Sequence, residues 1–255
     1  MIDRRLFLAG ATGLAAGPAF SAGAPAPGIF ELRQYTLKGG TRAAFTRLFE
    51  QQFVASQNAV GSHVLAVFRD LDDSDRFVWM RGFTDMEARK AALEAFYFGP
   101  VWQAHRTEAN AMMIDSDNVL LLKRVSGVAG PKLLAGRGVI RIAIHRLRDV
   151  DPAAFAAFFE ARMQPAIRAA GGDVAATLTT EASANTFPRL PVREHDPVFL
   201  WIAHFPDEAG EQAFDERLRT MAGWRDGIAE ALLPALMQKP EVLRLVSSMA
   251  IPDLG

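Results

Sequence analysis

The chain has 255 residues, 50% of them apolar and 22% charged, with a net charge of −1 and no cysteine. Such a composition can bury a real core, and the lack of a basic surplus argues against nucleic acid as a partner. Disulfides, thiolate metal sites and cysteine nucleophiles are excluded.

The chain opens MIDRRLFLAGATGLAAGPAFSAGAPAPG. Arg4 and Arg5 precede an apolar stretch from Leu6 to Ala16, and small residues follow, which is the layout of a secretory signal. The stretch is too short to span a bilayer. The paired arginines with Phe7 and Leu8 resemble the twin-arginine export motif, from which Asp3 and Ala9 depart. Residues 1–21 therefore read as a twin-arginine signal peptide. The mature chain is expected to be periplasmic, with no stable membrane anchor after cleavage.

A strand follows at 30–37, then a helix that Thr41 can cap, with Phe45, Leu48, Phe49 and Phe53 as its buried stripe. Strands near 63–70 and 76–83 are joined by the turn Asp72–Asp73–Ser74. A helical stretch after Thr84 is broken near Gly99–Pro100, and the strand VLLLK at 119–123 closes the unit. Residues 126–137 are rich in glycine and read as a linker. The same series then begins again. Ile140, Ile142 and Ile144 alternate with Arg141, Ala143 and His145 in a strand, Asp151 and Pro152 start a helix, and strands near 174–181 and 198–205 follow. A helical stretch broken near Gly223 and the strand VLRLV at 242–246 complete it.

The repetition extends to single residues. All four tryptophans align at one offset, Trp79 with Trp201 and Trp102 with Trp224, and FVWMRGFTD recurs as FLWIAHFPD. AAFTRLFE at 43–50 recurs as AAFAAFFE at 153–160 at a shorter offset, so the second copy contains an insertion, placed at 182–197. The order β-α-β-β-α-β in each copy is a ferredoxin-like unit. The fold class is α+β: two such units, 29–125 and 138–250, covering each other's sheets as an intrachain pseudo-dimeric α+β barrel.

The segments ELRQYTLKGG at 31–40, HVLAVF at 63–68, DRFVWMRGFTDMEARKAAL at 75–93 and VWQAH at 101–105 resemble a NIPSNAP domain, and the second copy resembles a more divergent one. The resemblance implies a dimeric α+β-barrel fold and no particular reaction or catalytic residue. The second copy departs from the first at His145, which stands where the first has Tyr35, and in its insertion.

Strand alternation suggests that the aliphatic sets Ile140, Ile142, Ile144 and Val78, Met80 face the helices, sending Arg33, Tyr35, Trp79, Arg81, Arg141, His145 and Trp201 into one barrel interior. These seven are the candidate ligand-binding residues, and Tyr35, His145 and Glu31 the candidate proton carriers. Planar guanidinium groups favour a carboxylate or phenolate. The expected function is binding of a small, partly apolar, anionic molecule in the barrel. The alternatives are a cofactor-independent oxygenase or isomerase of an aromatic compound, and a structural or interaction protein with a filled barrel. Whether the chain is an enzyme stays open at this point, as does assembly into a homo-oligomer. None of the five histidines falls in a short-spaced ligand pair, and there is no phosphate-cradling glycine loop or Rossmann fingerprint, so neither metal nor cofactor is expected.

Overall fold

The computed structural model describes residues 26–127 and 138–248. The expected signal peptide, 1–21, lies outside them, as does most of the expected linker. The strands are β1 (Ile29–Leu37), β2 (His63–Asp70), β3 (Arg76–Phe83), β4 (Met113–Gly127), β5 (Val139–Arg146), β6 (Asp173–Thr180), β7 (Val198–Phe205) and β8 (Glu241–Ser247). The first unit has helices α1 (Arg42–Leu48), α2 (Val54–Ala59), α3 (Met86–Tyr97) and α4 (Pro100–Met112). The second has α5 (Pro152–Phe158), α6 (Gln164–Ala169), α7 (Glu208–Thr220) and α8 (Ala229–Ala235).

The eight strands close into one antiparallel barrel in the order β1-β3-β2-β8-β5-β7-β6-β4. Two ferredoxin-like sheets, β4-β1-β3-β2 and β8-β5-β7-β6, meet at β2–β8 and β4–β6. The copies agree in register: Arg33 lies opposite Trp79 as Ala143 lies opposite Trp201, and Tyr35 opposite Phe77 as His145 opposite Phe199. Both also carry a π-helical turn at the same place, Phe49–Phe53 and Phe159–Met163. Such turns are rare and concentrate at functional sites.

Local chemistry explains most element ends. Asp85 and Asp207 cap α3 and α7 by accepting from the backbone N–H of Ala88 and Gly210. Asp151 caps α5 with Pro152 in its first turn. Gly171, at φ 94°, follows the end of α6, where an L side chain would be strained. Thr41 does not cap α1; its hydroxyl donates to the Lys38 carbonyl at 2.7 Å instead. The closing strand β4 is also much longer than 119–123. It pairs with β1 along its first part and with β6 along its last, where Ser126 and Gly127 lie opposite Thr177 and Ala176. These two residues belong to the strand rather than to the linker because β4 carries the sheet from one unit into the other.

One cluster of apolar side chains draws on all eight strands, among them Phe30, Leu32, Met80, Leu122, Ile140, Ile142, Ile144, Leu200 and Leu245. This cluster is the barrel interior, and it is filled. The expectation that the aliphatic face meets the helices is therefore reversed. A small barrel has room only for its own side chains, and compact aliphatics suit that space. The aromatic and basic face lies outside the barrel, beneath the helices. Tyr35 and Trp79 pack there on Phe45, Phe49, Phe53 and Phe96 of the first unit, while Trp201 packs on Phe159 of the second.

Candidate functional site

The seven candidate residues thus do not share one space. Arg33, Tyr35, Trp79 and Arg81 lie under the first unit's helices, and Arg141, His145 and Trp201 under the second's, with the filled barrel between.

In the first unit, neighbouring positions of β1 and β3 place Glu31 opposite Arg81 and Arg33 opposite Trp79. Arg89, one turn into α3, reaches the same point. The Glu31 carboxylate accepts from Arg33 Nη1 at 2.7 Å, from Arg81 Nε at 2.8 Å and from Arg89 Nε at 2.7 Å. All four side chains are completely buried. Three guanidinium groups against one carboxylate leave a buried net charge of +2. Arg33 Nη2 and Arg89 Nη2 have no hydrogen-bond partner, and Arg81 Nη2, 2.7 Å from Glu31, is out of line for one.

An aromatic cavity of about 90 Å³ adjoins this cluster, lined by Tyr35, Phe45, Phe49, Phe53, Gln57, Trp79, Phe96, Tyr97 and Trp102 together with residues of β4 and α4. The Arg33 guanidinium sits over the Tyr35 and Trp79 rings at 5.4 and 5.7 Å, and that of Arg81 over Trp79 at 5.0 Å. Positive charge therefore lies directly behind the cavity wall. Asn110 and Ser116 supply groups that can donate or accept, and three further side chains present donors to the cavity. Arg33 Nε donates to the Tyr35 hydroxyl at 2.8 Å, which leaves the phenol proton available to the cavity. The Trp79 indole N–H has no partner. The Gln57 amide oxygen accepts from Arg81 at 2.8 Å and from Ser62 at 3.3 Å, which turns its NH₂ group outward.

Proton transfer is poorly served. Burial alone would raise the Glu31 carboxyl, but the charges of Arg81, Arg33 and Arg89 outweigh it and hold the group well below the usual carboxylate range. Burial raises the Tyr35 phenol against the pull of Arg33, so it stays protonated. His145 lies in the other unit, where burial pushes it down to about 4 and keeps it neutral. The first unit's cavity thus holds an anion-seeking wall and no base.

The second unit lacks these features. By the shared register, Glu31, Arg33 and Arg81 become Arg141, Ala143 and Ala203. Arg89, on the first turn of α3, becomes Glu211 on the first turn of α7, and Gln57 becomes Ile167. The central ion pair is therefore reversed in sign. Arg141 makes a bidentate pair with Asp215 at 2.7 and 3.1 Å, and Arg244 Nε donates to Glu211 at 2.8 Å. No surplus of buried positive charge results.

The insertion at 182–197 belongs to the second copy but packs on the first. Phe187 stacks on Tyr97 at 5.8 Å, and Asn185 and Thr186 accept from Arg89 Nη1 at 3.0 and 3.3 Å. Strand alternation could not find Arg89 or Gln57, which come from helices; the repeat offset located the insertion but not its packing on the first unit. A further cleft of about 260 Å³ beneath the insertion is lined by Glu181, Arg193, Glu194 and His195 among others, and contains no buried unpartnered polar atom. Among the described residues, no cluster of three or more His, Asp or Glu side chains is placed to hold a metal ion.

Residues 30–126 match the NIPSNAP family model. No curated protein matches the sequence. Among solved structures, a candidate monooxygenase from Fusobacterium nucleatum superposes with a TM-score of 0.55 at 8% identity, over 88% of this chain and 94% of the other. A candidate monooxygenase from Lactobacillus acidophilus gives 0.53 at 14% identity, over 88% and 95%. An anthrone oxidase-like protein gives 0.53 at 10% identity, over 88% and 92%. At these identities the likeness is one of fold.

Proposed function

With its first unit a NIPSNAP domain, we propose that this chain is a binding protein for a small planar anion, held in the first unit's cavity rather than inside the barrel. The observation that carries the reading is the buried net charge of +2 behind an aromatic wall that carries the Tyr35, Trp79 and Gln57 donors. Unpaired charge at full burial is costly, and a ligand that brings a negative charge offsets the cost. A cavity of about 90 Å³ suits one aromatic ring. A phenolate or carboxylate on that ring would meet Tyr35 O–H, Trp79 N–H and the Gln57 amide. The twin-arginine-like residues at the N-terminus favour a periplasmic site of action.

The test uses 4-methyl-2-nitrophenol, whose phenolate absorbs separately from the phenol. Binding should lower its apparent pKa, so that the phenolate band grows at fixed pH when protein is added. Arg33→Met should weaken this shift without unfolding the chain, since it removes part of the uncompensated charge, and Trp201→Phe should leave it unchanged. No binding, or binding with an unchanged phenolate fraction, would refute the reading.

The second reading is a cofactor-independent oxygenase or isomerase. It is favoured by the donor-rich wall, which would stabilise an enolate or phenolate as charge develops on it, and by the names of the structural neighbours. With Glu31 neutralised by three arginines, a substrate would have to ionise without a protein base in the cavity. Oxygen uptake with a single-ring hydroquinone, abolished by Trp79→Ala and retained in Trp201→Ala, would support it. Absence of uptake leaves binding alone.

A further inference from the structure

The aromatic cavity is not closed. Tyr97, Trp102, Asn110 and Leu190 line both it and an outer chamber of about 250 Å³, forming a neck between the two. Two arginines line the outer chamber from opposite sources, Arg106 from α4 and Arg189 from the second copy's insertion. Neither has a carboxylate partner among the described residues. Arg189 is also held in place, its guanidinium 5.0 Å above the Phe98 ring. The loop that carries it is anchored by Phe187 on Tyr97 and by Arg193 N–H on the Val119 carbonyl at 2.8 Å.

We infer that the site is bipartite: the inner cavity takes a single ring, and Arg106 and Arg189 take a second acidic group carried on a short arm from that ring. The ligand class is then an arylalkanoic acid or a compound of the same shape, with an ionisable ring substituent at one end and a carboxylate at the other. The inference rests on the binding reading above and extends it. It also gives the insertion a task, since a loop of the second copy completes a site that the second copy itself lacks. The narrow neck sets the order of groups, because an aromatic ring fits the inner chamber while a charged, hydrated group is cheaper to leave in the wet outer one.

The experiment compares 4-methyl-2-nitrophenol with 4-hydroxy-3-nitrophenylacetate and its propionate homologue by absorbance titration. At least one acid should bind about tenfold more tightly than the methyl compound at low salt, the gain expected of two partly exposed charge contacts. Added salt should erode that advantage. Arg106→Gln with Arg189→Gln should abolish it while leaving affinity for the methyl compound unchanged. If the methyl compound does not bind, the binding reading fails and the bipartite site with it. If it binds but neither acid binds better, or if the advantage survives the double substitution, the outer subsite is refuted and the inner one stands.

Discussion

Glu31→Gln is the sharpest perturbation of the buried cluster, because it keeps size and shape while removing the only carboxylate. Glu31 accepts one charged hydrogen bond from each of three arginines, at 2.7, 2.8 and 2.7 Å, and all four groups are fully buried. Hydrogen bonds to charged groups contribute about 1.5–3 kcal/mol each, and removing one partner of a buried ion pair costs about 3–5 kcal/mol. Glutamine retains one acceptor, so the expected loss is about 5 kcal/mol, which for a chain of this size lowers Tm by roughly 10–20 °C. Urea denaturation and calorimetry measure it. Glu211→Gln is the control. It should cost about half as much, since Arg141 keeps Asp215 and Arg244 keeps Asp72 and Glu208.

The same substitution carries a pH signature. The folded Glu31 carboxyl lies below its ordinary 4.5, so its contribution is full above that value and is lost as pH falls through and below it. Glu31→Gln should remove that part of the acid sensitivity. It should also increase the stabilisation by a bound phenolate, because the cluster then holds three positive charges. A loss under about 2 kcal/mol, within the range of ordinary substitutions, would refute the claim that this carboxylate holds the arginines together.

Two further outcomes follow from burial. His145 is depressed to about 4 against an ordinary 6.5, so the folded state loses stability as pH falls from 6.5 toward 4, by on the order of 3 kcal/mol; His145→Phe should flatten the stability profile across that window, read by urea midpoints at stepped pH. Phe45 and Phe155 occupy matching buried positions against Phe77 and Phe199, and truncating either to alanine should cost about 3–5 kcal/mol by denaturation.

The fold was legible because its signals are local. Asp151 with Pro152 at a helix start, glycines where helical stretches break, and tryptophans at a constant offset each report on a few residues, and the repeat of the whole series reports on architecture. What failed was the choice of face. Strand alternation establishes that Ile140, Ile142 and Ile144 share a side and that Arg141 and His145 share the other, but both sides of this sheet are buried. Alternation therefore separated the residues correctly and could not say which set faced the barrel. Volume decides it. Eight strands converging on one axis leave room for a mostly aliphatic set with Phe30 and Phe68 among it, while the layer under the helices is wide enough for Trp79, Phe77 and three guanidinium groups.

The partners of the charged residues were harder to read, because they arrive from a helix and from the opposite copy. A signal was nevertheless present within the chain. Aligned through the repeat, Glu31 meets Arg141 and Arg89 meets Glu211, so the same contact is made twice with opposite sign. Two positions far apart in sequence that exchange charge together are held together by that charge, whichever way it points. The residues without such an exchange then stand out: Arg33 and Arg81 against Ala143 and Ala203, and Gln57 against Ile167. A pair that recurs with its sign reversed is accounted for by packing two charges against each other. Arginines that one copy keeps and the other replaces with alanine are not, since the alanine copy folds to the same register without them. The surplus charge of the first unit is therefore dispensable to the architecture, and that is the argument for seeking its counter-ion in a ligand.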